Sequence, residues 1–249
     1  MKKNRIYHSF HYKDSNFRIC SKHFALICDQ IIRQRTILEE YIRLQPDFLH
    51  SYTPLSLPPD APEIAQRMGE AAAAIGVGPM AAVAGAIAQC SAEAALKAGA
   101  TGEIIIENGG DLYVSSKKPV RISIYAGQNS PFNNLAFVLQ PASLPLAVCS
   151  SSAKMGNSNS LGNCQLATVF AKNASLADAA ATQACNLIQS SHDLEKILAT
   201  LQEIDGIDGL FAICDNKIGL SGNIPPFTKQ HDPDNLNKIT KDKNACFPG

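Results

Sequence analysis

The stretch Ser175-Leu-Ala-Asp-Ala-Ala-Ala-Thr-Gln-Ala-Cys185 is the most informative part of this sequence. We predict a helix here, on which Asp178 and Thr182 stand four residues apart on one face. A carboxylate and a hydroxyl that converge in this way suit a magnesium ion, which prefers oxygen ligands and takes only one or two carboxylates from a protein. The alternative is structural, because Ser175 and Asp178 match the S-x-x-D capping box that begins many helices.

The elements around this segment predict an α+β fold of antiparallel sheets backed by helices. Short alternating or β-rich runs at 6–12, 17–20 and 24–28 indicate an opening meander, and a long amphipathic helix is predicted from Asp29 to Pro46. The other predicted elements are helices at 63–75, 80–97, 175–190 and 193–203, strands at 103–107, 112–115, 120–126, 135–139, 146–150 and 167–171, and a final hairpin of 209–214 with 217–220 around Asp215-Asn216.

Length and charge limit the classes of protein to consider. A chain of 249 residues can bury one sizeable core, so we predict a single domain over 1–223. The segment 224–249 is rich in proline and polar residues and is expected to be a weakly ordered tail. The 22 basic and 22 acidic side chains balance, which argues against nucleic acid and anionic membranes as partners.

Targeting segments and cysteine usage indicate the cellular compartment of the protein. The basic start of the chain leads into no apolar core of a secretory signal, and the longest apolar stretch, 81–88, is well below the ~20 residues of a membrane span. The sequence therefore predicts a cytoplasmic protein. Eight cysteines without any C-x-x-C spacing give no zinc pattern, and free, buried thiols are expected. No histidine stands near Cys149 in sequence to activate it as a nucleophile.

Two loops are candidates for ligand binding. The paired glycines of Glu107-Asn-Gly-Gly-Asp111 can present backbone N–H groups and a carboxylate to a ligand, and the alternative is a β-turn in which Asp111 bonds its own backbone. The polar loop 149–162 follows an apolar strand and carries hydroxyls and amides suited to a phosphate or a ring edge. The candidate binding residues in the two loops are Asn108, Gly109, Gly110, Asp111, Ser151, Ser152, Asn157 and Ser158.

Four segments in this order, 76–88, 106–112, 149–162 and 176–182, resemble an uncharacterised family of small prokaryotic proteins related to ApbE, the FAD:protein FMN transferase. The resemblance extends from about Arg5 to Asn223 and implies an ApbE-like fold, similar to the T-fold. It further implies magnesium held by Asp178 and Thr182, FAD or FMN as ligand, and the 108–111 turn near the cleft. The implied partner is a nucleotide-like small molecule. The sequence does not decide whether the protein forms a homo-oligomer.

The sequence also departs from that family. ApbE transferases carry an aspartate and a lysine in the segment that here reads Gly78-Pro-Met-Ala-Ala-Val-Ala-Gly85, and neutral Asn157, Asn163 and Gln165 replace residues that are usually ionisable. Amides cannot act as general bases, so activity that depends on those groups is expected to be weakened. Three interpretations remain: magnesium-dependent flavin-nucleotide chemistry of FMN-transfer or FAD-pyrophosphatase type, a non-catalytic flavin or small-molecule binding protein, and a scaffold whose helix 80–98 packs on a second subunit.

Overall fold

The computed structural model describes residues 5–128, 130–153 and 162–229. Its centre is an eight-stranded sheet in the order β1-β2-β3-β4-β7-β8-β9-β10, and a second sheet has the order β11-β6-β5. Every strand pair is antiparallel. The strands are β1 His8–Tyr12, β2 Ser15–Cys20, β3 Ile104–Asn108, β4 Asp111–Ser115, β5 Val120–Ser123, β6 Leu135–Leu139, β7 Leu146–Ser151, β8 Leu166–Ala171, β9 Ile207–Cys214, β10 Lys217–Gly222 and β11 Phe227–Lys229.

Helices cover one face of the large sheet. Their bounds are α1 Phe24–Leu44, α2 Asp47–His50, α3 Glu63–Ile75, α4 Val83–Lys97, α5 Ala174–Leu187 and α6 Leu194–Gln202, and a 3₁₀ turn at Pro79–Ala82 precedes α4. Because strand side chains alternate between the two faces, Ala147 and Cys149 of β7 pack toward the helices, whereas Leu146 and Val148 pack toward the small sheet. The predicted α+β class with helix-backed antiparallel sheets is confirmed.

A second core fills the space between the two sheets. The ring of Phe137 on β6 stands edge-on to Phe170 and Phe211 of the large sheet, at centroid distances of 4.9 and 5.1 Å. This T-shaped geometry is the one that aromatic quadrupoles favour. It fixes the small sheet over strands β8 and β9, beside the strand ends where the candidate residues lie.

Two predictions at the chain ends need correction. The run 24–28 is not a third strand but the first turn of α1, since Ile27 and Ile31 continue the buried face that Leu38 and Tyr41 complete. A five-residue apolar run fits both periods, and the pairing partner decides between them. At the other end, order continues past Asn223, because β11 pairs with β6 and extends the small sheet. The remainder of the predicted tail, 230–249, lies outside the described residues.

The alanine-rich helix α4 lies inside its own chain. It packs against α1, α5 and strands β3 and β4, and Ala86, Ala88, Ala92 and Ala95 are fully buried. The interpretation of this helix as a docking face for a second subunit therefore loses its basis. Within the described ranges no single helix is long and apolar enough to cross a membrane. In the same part of the chain, one helix pair, α3 with the following Pro79–Lys97, passes the test together but is bent by 106°.

The cysteines follow the predicted pattern over the part of the chain that the structure describes. Seven are free and buried, and they contribute to the core as small apolar side chains. Cys246 lies outside the described residues.

Candidate functional site

A cleft of about 2920 Å³ runs past the ends of strands β3, β4 and β7. Asp178 and Thr182 line it on the helical side of the large sheet, and Gly109 and Gly110 line it at the strand tips. It continues to the small-sheet side, where Thr168 is among the lining residues. The chain segments singled out by sequence therefore meet in one cleft.

The tip of the cleft is the β3–β4 hairpin. Asn108 pairs with Asp111, and both glycines between them have positive φ, 64° for Gly109 and 113° for Gly110. Residues other than glycine rarely adopt these φ values, which is why the turn requires glycine. The predicted turn is present, but the Asp111 carboxylate accepts a hydrogen bond from the Ser150 N–H of strand β7 at 3.1 Å. Asp111 therefore ties β4 to the neighbouring strand.

Asp111 is buried and lines the cleft beside the glycine turn. Burial raises the pKa of its carboxyl to about 7, against the opposing effect of hydrogen bonds from the Ser150 amide and the Cys149 thiol, and the charge of Glu107 raises it further. A carboxyl with this pKa is partly protonated at neutral pH.

Burial likewise raises the pKa of Cys149 well above its usual value, and both Asp111 and Asp178 add to that rise. Cys149 is therefore a neutral thiol, which argues against a nucleophilic role.

Asp178 has a structural partner different from the one that the capping box predicts. Helix α5 begins one residue earlier than Ser175, and the side chain of Asn173 caps it by accepting from the backbone N–H groups of Ser175 and Leu176. The capping-box interpretation of Asp178 is therefore wrong. Its Oδ2 instead accepts the N–H of Gly85 at 2.9 Å, in the first turn of α4.

The two helices α4 and α5 thus cap each other. Asp178 of α5 receives the N–H groups of Ala84 and Gly85, while the Oε1 of Gln89 on α4 accepts the first N–H of α5, at Ala174, at 2.6 Å. The helices approach so closely that a Cβ on Gly85 would lie 2.3 Å from the Ala174 carbonyl oxygen. The position of Asp178 in the cleft is therefore fixed by two hydrogen-bonded contacts between the helix ends.

Two acidic side chains share this region without a cationic partner. Burial raises the pKa of Asp178 well above its usual value, and the nearby charge of Asp111 adds to the rise, while the amides of Gly85 and Ala84 oppose it. Among the described residues, no lysine or arginine forms an ion pair with either carboxylate. Two adjacent buried carboxylates repel each other, and a bound cation would relieve that repulsion.

The donor set fits magnesium better than zinc. Within the described ranges, no group of three or more histidine, cysteine, aspartate or glutamate residues could hold a metal. Asp178 and Thr182 nevertheless offer a carboxylate and a hydroxyl to the same cleft, and magnesium commonly completes its shell with water and ligand phosphates. Their role as ligands stays a prediction.

The hydroxyl-bearing strand ends form the other side of the cleft. Ser151 and Ser152 line it, and the Ser152 hydroxyl donates to the Gln165 carbonyl oxygen at 2.7 Å; their predicted role in ligand binding stays a prediction. Sequence reasoning missed the pair Ser150 and Thr168, whose hydroxyl oxygens are 2.9 Å apart and face the small sheet. The two polar residues stand opposite each other on paired strands, a signal that appears only once the register is known. Asn157 and Ser158 lie outside the described residues.

The side-chain amides of Asn163 and Gln165 form hydrogen bonds to the backbone of neighbouring loops. The side chain of Asn163 donates to the Gln189 carbonyl oxygen at 3.2 Å, and that of Gln165 accepts from the Asn216 N–H at 3.2 Å. Neither residue is among those that line the cleft. These hydrogen bonds anchor the loops, and the expected effect of the neutral side chains on activity stays a prediction.

Acidic residues dominate the pH response expected of this site. Because Asp111 has a higher pKa in the folded than in the unfolded state, the folded protein binds more protons between about pH 4 and pH 7. Its contribution to stability is therefore complete below pH 4 and is lost as the pH rises toward 7. We expect about 2 kcal/mol of loss between pH 5 and pH 7, and Asp111→Asn should remove it. Urea unfolding of both proteins at the two pH values measures this, and parallel pH profiles would contradict it.

Comparison with known proteins places these features in a family context. A family model described as "AbpE bacteria" matches residues 9–205. A UPF0280 protein of Methanocaldococcus jannaschii is 42% identical over 204 residues, covering 80% of this chain and 82% of that protein. A UPF0280 protein of Methanocella arvoryzae is 39% identical over 224 residues and covers 90% of each chain.

Solved structures share the fold at much lower sequence identity. The apo flavinyl transferase ApbE of Pseudomonas stutzeri superposes with a TM-score of 0.57 at 12% identity, covering 96% of this chain and 99% of that one. The flavin transferase ApbE of Vibrio cholerae gives a TM-score of 0.52 at 14% identity, covering 88% and 97%. At these identities the likeness shows a common architecture, in agreement with the helix-backed antiparallel sheets.

Proposed function

Because this chain belongs to the family described as AbpE bacteria, we propose that its cleft binds a flavin dinucleotide and that the protein acts on the pyrophosphate with a divalent cation. Solved proteins of the same fold are named flavin transferases. The proposal assigns the cation to Asp178 and Thr182 and the flavin nucleotide to the turn at 108–111 and the serines at 151 and 152.

The single observation that carries this proposal is the meeting of Asp178, Thr182 and the Gly109-Gly110 turn in one cleft. Asp178 caps α4 by accepting the N–H groups of Gly85 and Ala84, and its side chain also lines the cleft. Among the described residues neither Asp111 nor Asp178 forms an ion pair with a basic side chain, and an ionised buried carboxylate is costly, so a bound cation would stabilise this pair.

The residues of the chain have distinct parts in the proposed reaction. A cation at Asp178 and Thr182 would act as a Lewis acid that stabilises negative charge on the phosphate oxygens. The side-chain-free turn at Gly109 and Gly110 allows phosphate or sugar groups to approach the backbone closely. Asp111 fixes the turn to β7 through the Ser150 N–H. With water as acceptor, cleavage of the phosphoanhydride bond of FAD consumes one water and gives FMN and AMP.

Incubation of the purified protein with FAD and Mg²⁺, followed by chromatography of the products, tests the proposal. We expect equal amounts of FMN and AMP, and we expect both to disappear when EDTA removes the metal. Mg²⁺ together with a non-cleavable flavin dinucleotide should also raise the thermal midpoint, since a ligand that binds only the folded state stabilises it. If FAD stays intact, and if Mg²⁺ with the non-cleavable flavin dinucleotide leaves the thermal midpoint unchanged, both catalysis and binding are refuted.

A non-catalytic flavin-binding protein is the second candidate, and one observation favours it. The segment 78–85 that borders α5 contains no lysine or aspartate, so it offers no charged side chain to a phosphate. In that case native mass spectrometry should find a copurified flavin, and added FAD should raise the thermal midpoint without any AMP release. The ratio of bound flavin to released AMP therefore separates the two candidates.

A further inference from the structure

The small sheet ends in a strand with a free edge. The cleft has two arms, one on the helical side of the large sheet and one on the small-sheet side. Strand β5 lies at the outside of the order β11-β6-β5, and within the described ranges β6 is the one strand that pairs with it. The continuous stretch 118–125, which includes all of β5, lines the cleft. The free edge of β5 therefore borders open space.

The register determines which backbone groups of β5 face this edge. In an antiparallel pair, alternate residues exchange hydrogen bonds with the partner strand, and the residues between them direct their N–H and C=O groups to the opposite side. The N–H of Ile124 donates to the carbonyl oxygen of the first residue of β6 at 2.9 Å, so Ile122 and Val120 also bond to β6. The backbone groups of Arg121 and Ser123 consequently point away from β6, toward the free edge.

The edge is held in a fixed position. Val120 and Ile124 are buried in the second core between the two sheets, whereas Arg121 is exposed. The chain that leads into β5 is tied to the N-terminal segment, because Nη1 of Arg5 donates to the Pro119 carbonyl oxygen at 2.9 Å. An edge strand anchored on one face presents a regular row of donors and acceptors to another chain.

The surroundings of this edge are cationic. Three exposed basic residues lie on β5 or directly before it: Lys117, Lys118 and Arg121. Among the described residues, none of the three forms an ion pair. The sequence from 112 to 177 holds five basic side chains and no acidic one, and the neighbouring Glu103 is neutralised by Arg5 at 2.7 Å. The edge therefore favours an anionic occupant.

Backbone geometry and charge together select the class of occupant. A row that alternates N–H with C=O matches another extended polypeptide, whereas the carbonyl oxygens would repel phosphate groups. The same edge of a second copy would place cations opposite cations, which is unfavourable across strands. Lysines and a proline at an edge also discourage unspecific strand pairing, so an acidic strand gains affinity where other strands lose it.

We propose that the free edge of β5 docks an extended acidic segment of a partner protein, which adds to the small sheet as a fourth strand. The segment bonds to the backbone of Arg121 and Ser123, and its carboxylates pair with the basic residues at 117, 118 and 121. The inference does not depend on the proposed function, because it uses neither Asp178 nor the glycine turn.

Fluorescence anisotropy with two synthetic peptides tests the charge selection. One labelled eight-residue peptide alternates valine with glutamate, and the other alternates valine with lysine. We expect the acidic peptide to bind at least tenfold more tightly at low salt, and we expect Lys118→Glu combined with Arg121→Glu to reverse this preference. Lys217→Glu is the matched control, because it reverses an exposed lysine on the edge strand β10 outside the cleft lining. Equal binding of the two peptides would overturn the proposal.

Amide hydrogen exchange locates the contact. The acidic peptide should slow exchange at Arg121 and Ser123 at least tenfold and affect Ile122 less, since the Ile122 N–H already bonds to β6. Ser123→Pro removes an outward donor without removing a bond to β6, so it should weaken binding at least fivefold and leave the thermal midpoint nearly unchanged. Protection confined to other strands would overturn the proposal, as would binding to anionic lipid vesicles without binding of the peptide.

The same peptide separates this inference from the proposed function. Asp178→Asn should bind the acidic peptide as tightly as the natural protein, whatever its effect on FAD cleavage. Peptide binding without FAD cleavage supports the docking edge and counts against catalysis. FAD cleavage without peptide binding gives the opposite result.

Discussion

Replacement of Asp178 by asparagine is expected to lower the rate of FAD cleavage about 10²–10³-fold, the usual loss when one electrostatic group is removed from an active site. The fold should survive, because the asparagine oxygen can still accept the Gly85 N–H that Asp178 accepts at 2.9 Å. The substitution therefore removes the charge while retaining the helix cap. It is the sharpest test of whether this carboxylate serves chemistry or only structure.

Stability provides an independent readout of the same variant. Burial and Asp111 raise the pKa of Asp178, so at neutral pH its ionised form destabilises the folded protein. Without metal, Asp178→Asn should therefore be at least as stable as the natural protein at pH 7. With excess Mg²⁺ the natural protein should gain stability and the variant should not.

Thr182 supplies the matched comparison. Thr182→Ser keeps the hydroxyl, whereas Thr182→Val removes it at nearly the same volume, so only the valine variant should lose activity. Full activity in Asp178→Asn would contradict the assigned role of the carboxylate. Equal losses in the two Thr182 variants would indicate packing rather than ligation.

Replacement of Gly85 by alanine is expected to destabilise the protein by about 3 kcal/mol. The new Cβ would lie 2.3 Å from the Ala174 carbonyl oxygen and 3.0 Å from the Asp178 Cβ, so α5 must move away from α4. Overpacking of this kind typically costs about 1–3 kcal/mol, and loss of a buried hydrogen bond to a charged group adds a similar amount. The better helix propensity of alanine offsets only about 1 kcal/mol.

Gly69 in α3 is the control, because its neighbour is a side chain rather than backbone. A Cβ there would meet the end of the Leu57 side chain at 2.5 Å, which can rotate away. We expect Gly69→Ala to be close to neutral and Gly85→Ala to lower the thermal midpoint by roughly 10 °C. Equal midpoints for the two variants would show that the α4–α5 contact is less rigid than its geometry indicates.

Local sequence signals determined a large part of the fold. The final hairpin forms around Asp215 and Asn216, which both have positive φ, as the turn chemistry predicts. The predicted strands at 135–139 and 146–150 lie within one residue of the observed bounds, because turn-forming residues flank both apolar runs. The family resemblance supplied the overall architecture, and the family match confirms it.

Tertiary contacts decided what the sequence could not. The partner of Asp178 is a backbone amide 93 positions earlier in the chain, so no local motif could distinguish it from a capping box. Asn173 caps α5 in its place, two residues before the serine that the motif favoured. The pairing of Ser150 with Thr168 depends on strand register, which short apolar strands do not specify by themselves.

The β3–β4 hairpin stands between the two arms of the cleft, and this has a consequence for the shape of any occupant. A molecule that reaches from Thr182 to Thr168 must bend around the glycine tip at 109–110. Straight, rigid compounds of equal length can fill one arm but not both. We therefore expect a molecule that occupies both arms to have a flexible linker between its two ends.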